Sequence, residues 1–327
     1  MSDFWNKQQV IVTGACGMVG SRLCEFLRDA GAQVFGIDDL SRGEYRVDGV
    51  KYWVRDVEFA LGEYDGWIEC GHMVPPFAIF NLAAAVGGVY FNMKNHADQY
   101  WQNTRLQAVP ALWAAQHDVP IFVQVSSVCV YDGAFNSPAL EDFGMSGMPE
   151  PANAGYAWAK RMGECVAHWS FEDTVTKYVI VRPTNMYGVR DYFDERAHVI
   201  PALIKKFMTQ QNPVVYGGSQ TREFLYADDG ARGMMVAAEH GISGEVYNLG
   251  TSGETQITIG RLAELIYALT GSTADVTIDH NAETGDVARC TDSSKAHALG
   301  WKHRVSLEEG LKNVIEWYRK ESQQCKS

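Results

Sequence analysis

Three glycines at intervals of three, Gly14, Gly17 and Gly20, mark the passage from the apolar run QVIVT into a helical pattern that begins at Met18 and Val19. That junction constrains the fold more than any other feature. Glycines there permit a tight turn and let backbone N–H groups approach a pyrophosphate at the helix N-terminus. Asp38 ends the next strand-like run, 18 residues after Gly20 (38 − 20), where an acidic residue is expected to meet an adenosine ribose. A carboxylate accepts from a ribose 2′-hydroxyl and repels a 2′-phosphate, so NAD is expected over NADP, with Arg42 near enough to compete. Asp56 and Val57, at the end of the third strand-like run, are either neighbours of the adenine or an ordinary strand end.

Strand-like and helical segments alternate through the first half. QVIVT, QVFGIDD, KYWVRD, FAIFNLAA, IFVQVSS and KYVIVRP read as strands, with helices expected at about 18–30, at about 95–116 and through YAWAKRMGECVAHW. Strands separated by helices imply a parallel sheet covered on both faces. After Pro183 the elements shorten, with strands at VVYG and DVTIDH and helices after HVIPAL, through DDGARGMMVAAEH and TIGRLAELIYALTG, and from Ser306. The expected fold is α/β. A Rossmann-type doubly wound parallel sheet spans residues 1–182, and a smaller C-terminal substrate-binding lobe spans 183–327, with some segments returning to the first domain.

Composition removes several function classes. Forty acidic side chains against 28 basic ones leave a net charge of −12, with no basic block. Binding a nucleic-acid backbone relies on clustered Lys and Arg, so nucleic acid is not an expected partner. Seven scattered cysteines with no C-x-x-C pair speak against a disulfide framework or a zinc site and for a reducing compartment. No metal is expected. The N-terminus has no apolar signal-peptide core, and the apolar stretch around Phe77–Phe91 is broken by Asn81 and two glycines. It falls short of the ~18–20 residues of a membrane span. A cytoplasmic location is the expectation.

The chemistry concentrates in two segments. YAWAK sets Tyr156 and Lys160 four residues apart, on one face of a helix. A phenol titrates near ~10, and a neighbouring cation stabilises the phenolate, so such a pair can act as a base near neutral pH. The spacing recurs at Tyr90 and Lys94 in YFNMK, but Tyr90 follows the Gly87–Gly88 break, whereas Tyr156 opens a long helix after the Ser127 segment. Tyr156 is therefore the expected base. The second segment is SSVCVYD. Read as a strand continuing from PIFVQV, it puts Ser127, Cys129 and Tyr131 on one face. Cys129 is then either a small core residue or part of the chemistry.

In this order, TGACGMVG, Asp38, NLAA (Asn81, Leu82, Ala83 and Ala84), Ser127 and YAWAK resemble the extended short-chain dehydrogenase/reductases, over nearly the whole chain. RPTNMYG, REFLYADD, NLGT and DSSKAHALGW resemble the branch that acts on nucleoside-diphosphate sugars. The resemblance implies a triad in which Ser127 orients a sugar hydroxyl, Tyr156 takes its proton, and Lys160 holds the nicotinamide ribose and lowers the tyrosine pKa. It also implies homodimers through the helices near 95–116 and 156–171. Arg222 and Arg289 match positions that hold the diphosphate or nucleotide, and arginine suits phosphate oxygens. Gly87, Gly88 and Asn185 are further substrate-side candidates.

SSVCVYD is similar to the matching segment of GDP-mannose 3,5-epimerases and GDP-L-fucose synthases, which carry a reactive cysteine at the place of Cys129. FNLAAAVGG is similar to the epimerases. HVIPAL is similar to the fucose synthases, whose histidine partner corresponds to His198; the epimerases carry lysine in that role. The fucose synthases use NADPH, from which Asp38 departs. Once C4 of a sugar is a ketone, the C3 and C5 protons become acidic, and inversion needs a base on one face and an acid on the other. A thiol near ~8.5 and an imidazole near ~6.5 can both exchange protons at neutral pH. The alternative for His198 is a helix cap. The expectation is an NAD-dependent epimerase of a nucleoside-diphosphate sugar, GDP-hexose favoured, with Cys129 and His198 inverting C3 and/or C5. Three alternatives stand beside it: an NADPH-consuming epimerase–reductase, a C4 epimerase of a UDP-sugar with Cys129 idle, and a nucleotide-sensing binding protein.

Overall fold

The computed structural model describes residues 3–133, 138–282 and 290–324. Its centre is a seven-stranded parallel sheet. The labelled strands are β1 (Gln9–Thr13), β2 (Gln33–Asp38), β3 (Lys51–Val54), β4 (Ala78–Asn81), β5 (Ile121–Val125) and β6 (Lys177–Pro183). They lie in the order β3-β2-β1-β4-β5-β6, and Val246–Leu249 adds the seventh strand beside β6. Chain order reverses between β1 and β4, and in open α/β sheets the crevice beyond the strand ends at that point receives ligands.

Period-two alternation sorts the strands into two layers. Val10 and Val12 of β1 and Ala78 and Phe80 of β4 face one side, with Leu23 and Leu27 of α1 (Met18–Asp29). Ile11 and Ile79 face the other, with Leu61 and Tyr64 of α2 (Val57–Glu69). The helices α3 (Val89–Lys94), α4 (His96–Gln116) and α5 (Ala154–Phe171) follow, and α4 packs along α5. That approach is close: a Cβ on Gly155 would lie 2.2 Å from the His96 carbonyl oxygen, and one on Gly163 would lie 2.6 Å from Gln107 Cβ.

A third core joins Ile200, Leu203 and Ile204 of α6 (Val199–Thr209) to Phe224, Tyr226, Leu262 and Leu311. The chain does not stay in that lobe. The helix α7 (Ala227–His240) packs on α1, where Arg22 makes a two-bond ion pair with Asp228 at 2.6 and 2.8 Å. Among the described residues no helix is long and apolar enough to cross a membrane.

Candidate active site

A cavity of about 1130 Å³ runs along the C-terminal ends of the sheet strands and is closed on its far side by the α6 lobe. Gly14, Gly17, Met18, Val19, Gly20 and Asp38 line one end; Ser127, Cys129, Tyr156, Lys160 and His198 line the other.

The glycine loop fits a dinucleotide on geometric grounds. Gly14 has φ +67° and donates to the Ile37 carbonyl at 2.8 Å, as the turn requires. A Cβ on Gly20 would stand 2.0 Å from the Gly14 carbonyl oxygen. Gly17 opens α1 without a side-chain cap, leaving first-turn N–H groups available to an anion. Both Asp38 oxygens accept backbone N–H bonds at 2.9 Å, from Cys16 and Leu40. Burial raises its pKa, and those two bonds oppose the rise.

Arg42 lines the cavity near Asp38 and is held by protein partners. It donates to the Val86 carbonyl, reaches Asp194 at 3.1 Å and lies over the Tyr192 ring at 4.7 Å from the centroid. Asp56 caps α2 by accepting from Glu58 N at 3.0 Å and pairs with Arg105 at 2.6 and 2.8 Å, which holds its pKa low. Val57 begins the helix beside it, and both line the cavity.

Leu82, Ala83 and Ala84 form the wall between the two ends. Thr13 Oγ1 accepts from Ala83 N at 3.0 Å, and Asn103 of α4 bonds both polar backbone groups of Ala85 at 2.9 Å. Beyond them Gly88 opens α3 and donates to the Arg196 carbonyl at 2.9 Å. A Cβ on Gly88 would come within 2.6 Å of the Ala197 carbonyl oxygen, and one on Gly87 within 2.4 Å of the Phe91 ring.

One expectation is corrected here. Residues 126–131 do not continue the strand: β5 ends at Val125, and Val128–Val130 form a 3₁₀ turn. Ser127 caps that turn, its Oγ accepting from Cys129 N at 3.1 Å. The period-two argument therefore fails at Tyr131. Ser127 and Cys129 still share the cavity wall, but Tyr131 is buried and donates to Asn248 Oδ1 at 2.6 Å.

Tyr156 is hydrogen-bonded to the Ser127 side chain. Burial pushes its phenol up, nearby Cys129 adds to the rise, and the Ser127 bond opposes it. Lys160 is 1% exposed; it donates to the Val125 carbonyl at 2.7 Å and stands 5.6 Å from the Tyr156 ring centroid. Burial brings its pKa down to about 7, against Cys129 and Glu164, which favour the charged form. Desolvation thus works against both members of the pair, and only short-range partners oppose it.

His198 occupies the N-cap position of α6 and makes no side-chain cap bond, so capping does not explain it. The residue as a whole is exposed and lines the cleft. The surrounding protein lowers its pKa, the Arg42 guanidinium adds to that, and Asp194 opposes both.

Asn185 donates to the Glu223 carbonyl at 2.9 Å, and Arg222 Nη1 donates to the Thr221 carbonyl at 2.8 Å; both line the cavity. Arg289 lies outside the described residues. Tyr90 lines the cavity too, edge-to-face with Tyr216 at 5.4 Å. Residues that sequence reasoning missed include Arg105, Tyr192 and Asp191. Asp191 is 4% exposed, burial pushes its pKa up to about 7, and its Oδ2 has no hydrogen-bond partner. No local signal pointed to Arg105 or Tyr192, because they meet Asp56 and Arg42, distant in sequence.

The sheet order, glycine loop and Ser127–Tyr156–Lys160 cluster define the class: an enzyme of the extended short-chain dehydrogenase/reductase type. The chain belongs to the NAD dependent epimerase/dehydratase family, whose profile matches residues 10–250. It is similar to GDP-L-fucose synthase of Escherichia coli (strain K12), 31% identical over 334 aligned residues and covering 96% of this chain and 97% of that one. It is 34% identical to a probable GDP-L-fucose synthase 1 of Oryza sativa subsp. japonica over 251 residues, 74% of this chain and 76% of that one. Among solved structures, the UDP-glucose 4-epimerase of Thermotoga maritima with UDP-glucose superposes with a TM-score of 0.85 at 26% identity, covering 96% of this chain and 99% of that one.

Proposed function

We propose that this enzyme is an NAD-dependent epimerase of a nucleoside-diphosphate sugar, with GDP-hexoses favoured, that oxidises C4 transiently and inverts C3 and/or C5. One observation carries the reading: Cys129 donates its N–H to Ser127 Oγ at 3.1 Å within one turn and lines a single cavity with Tyr156, Lys160 and His198. Residues 1–182 would serve the dinucleotide and 183–327 the nucleotide sugar, with Arg222, Arg289 and Asn185 toward the diphosphate and Gly87–Gly88 beside the sugar. Gly17, Met18 and Val19 would hold the pyrophosphate and Asp38 the adenosine ribose. When bound, the nicotinamide supplies a hydride acceptor and then donor for C4.

The chain's own groups do the proton work. Ser127 orients the C4 hydroxyl, Tyr156 accepts its proton, and Lys160 holds the nicotinamide ribose. With C4 a ketone, one of Cys129 and His198 takes the proton from the neighbouring carbon. The other delivers one from the opposite face, and Tyr156 returns its proton when C4 is reduced. A homodimer through α4 and α5 fits their exposed Trp101 and Trp169, which are 69% and 64% accessible.

The likeness to GDP-L-fucose synthases supports a second reading, an NADPH-dependent epimerase–reductase acting on a pre-formed 4-keto sugar. The test incubates the enzyme with GDP-, UDP-, CDP- and dTDP-hexoses in deuterated water and follows C3 and C5 by NMR. Deuterium should enter without net cofactor consumption. Cys129→Ser and His198→Asn should stop the exchange, and Tyr156→Phe should slow hydride transfer by at least ~10²-fold. Tyr90→Phe should keep activity. Stoichiometric NADPH use favours the second reading, and full exchange in Cys129→Ser makes the cysteine a passenger.

A further inference from the structure

The turn that carries Ser127 and Cys129 is gripped at both ends by one buried ion pair. At its start, Ser126 Oγ donates to Glu164 Oε1. At its end, the Tyr131 hydroxyl accepts from Arg182 Nη1 at 3.1 Å. Arg182 and Glu164 hold each other through Nε–Oε1 at 2.8 Å and Nη2–Oε2 at 2.6 Å, each side chain 3% exposed. Glu164 stands one helical turn beyond Lys160 and two beyond Tyr156, on the same face of α5. Two neighbours on that helix reach the same segment: Lys160 bonds the Val125 carbonyl, and Arg161 Nε bonds the Val130 carbonyl at 2.8 Å.

A buried ion pair is weak evidence for stability, because desolvation offsets most of its Coulomb gain. Its directionality is the informative part. Glu164 Oε1 takes two donors and Oε2 one, while Arg182 spends Nε and Nη2 on Glu164 and Nη1 on Tyr131 and the Glu141 carbonyl at 2.7 Å. With those bonds in place, the directions from which Ser126 and Tyr131 approach are fixed. Glu164, Arg182 and Tyr131 lie outside the cavity lining and touch no reacting atom.

We propose that Glu164 and Arg182 are positioning residues that set the Ser127–Cys129 turn against the Tyr156–Lys160 face of α5. The Ser126 grip governs Ser127 and hence hydride transfer; the Tyr131 grip governs Cys129 and hence proton exchange at carbon. The proposal rests on the reading of those four residues as the reacting groups.

Ser126→Ala and Tyr131→Phe test it, because each removes one grip and leaves both residues of the ion pair in place; Tyr131→Phe also gives up the bond to Asn248 Oδ1. The probe is GDP-mannose, or whichever hexose of the GDP-, UDP-, CDP- and dTDP- panel the wild type turns over. Hydride transfer is read by nicotinamide absorbance in a single turnover, and proton exchange by deuterium wash-in. Misplacement by about 1 Å costs up to ~10²-fold, so Ser126→Ala should slow hydride transfer by about 10–10²-fold with KM and melting temperature unchanged. Ser126→Thr, which keeps the hydroxyl, should recover most of it. Tyr131→Phe should slow wash-in by a similar factor while hydride transfer persists. Unchanged rates in both variants overturn the proposal, as does a parallel loss of both rates together with melting temperature. If wild type shows no wash-in at C3 or C5, the inversion reading fails, and Ser126→Ala still decides the positioning of Ser127.

Discussion

Glu223 is fully buried, and its carboxylate accepts five hydrogen bonds. Oε1 takes Thr251 N at 2.6 Å, Thr251 Oγ1 at 2.9 Å and Gly253 N at 3.1 Å. Oε2 takes Thr291 N at 3.0 Å and Thr291 Oγ1 at 2.8 Å. Glu223→Gln keeps the shape and replaces one acceptor with a donor. The least costly orientation puts the new NH₂ toward Thr291, whose hydroxyl can reverse while its backbone N–H cannot. One buried N–H is then stranded, at about 1–3 kcal/mol, and each remaining bond weakens from the charged toward the neutral range. Relief of the buried charge offsets part of this. Set against each other, these effects leave a net loss of about 3 kcal/mol. For a chain of this length that corresponds to a fall in melting temperature of about 4 °C at ~2.1 cal/mol/K per residue. Calorimetry on wild type and variant at one pH measures it. A melting temperature equal to wild type would refute the reading of one carboxylate serving five donors.

Two other predictions follow from the cofactor end and from the active helix. Asp38→Ala should weaken NAD binding more than NADP binding, measured by isothermal titration, whereas wild type should prefer NAD; a wild-type preference for NADP would contradict the role given to Asp38. Lys160 has a folded pKa of about 7, below its ordinary value of 10.5, so the unfolded chain binds the extra proton between those limits. Stability of wild type relative to Lys160→Met should therefore rise with pH from about 7 to about 10.5 and then level, as read by urea unfolding. A flat difference would mean that the ammonium is not desolvated.

The parts of the site legible in the sequence were those written locally. The glycine loop, Asp38, Ser127 and the Tyr156–Lys160 spacing each sit within one element or at its end, so period and turn chemistry reach them. The α2 helix is not among the helices expected from the sequence; it contains Gly62 and Gly66, and no heavy atom lies within 4 Å of a Cβ on either, so both are tolerated as helical surface. The Val246–Leu249 strand is four residues long, and only its pairing with β6 identifies it. Tyr131 was assigned to the wrong face because strand periodicity was carried past the sheet edge into a 3₁₀ turn. Buried charges such as Arg182–Glu164 and Glu223–Thr291 join residues 18 and 68 positions apart, beyond any local pattern.

Among the described residues, contacts that cross the cleft between the strand ends and the opposite wall include Gly88 to Arg196, Arg42 to Asp194 and to the Tyr192 ring, and the Tyr90 ring to the Tyr216 ring. On the proposed reading, a dinucleotide bound in the cleft would leave past the elements that these contacts join. An enzyme that returns its hydride to the same sugar never needs that exit during turnover. Its rate then becomes independent of the ratio of oxidised to reduced nicotinamide in the surroundings, and it works at the same speed in a starved or a well-fed cell. An enzyme that consumed reductant through the same cleft would have to reopen it every cycle, and its speed would follow that ratio.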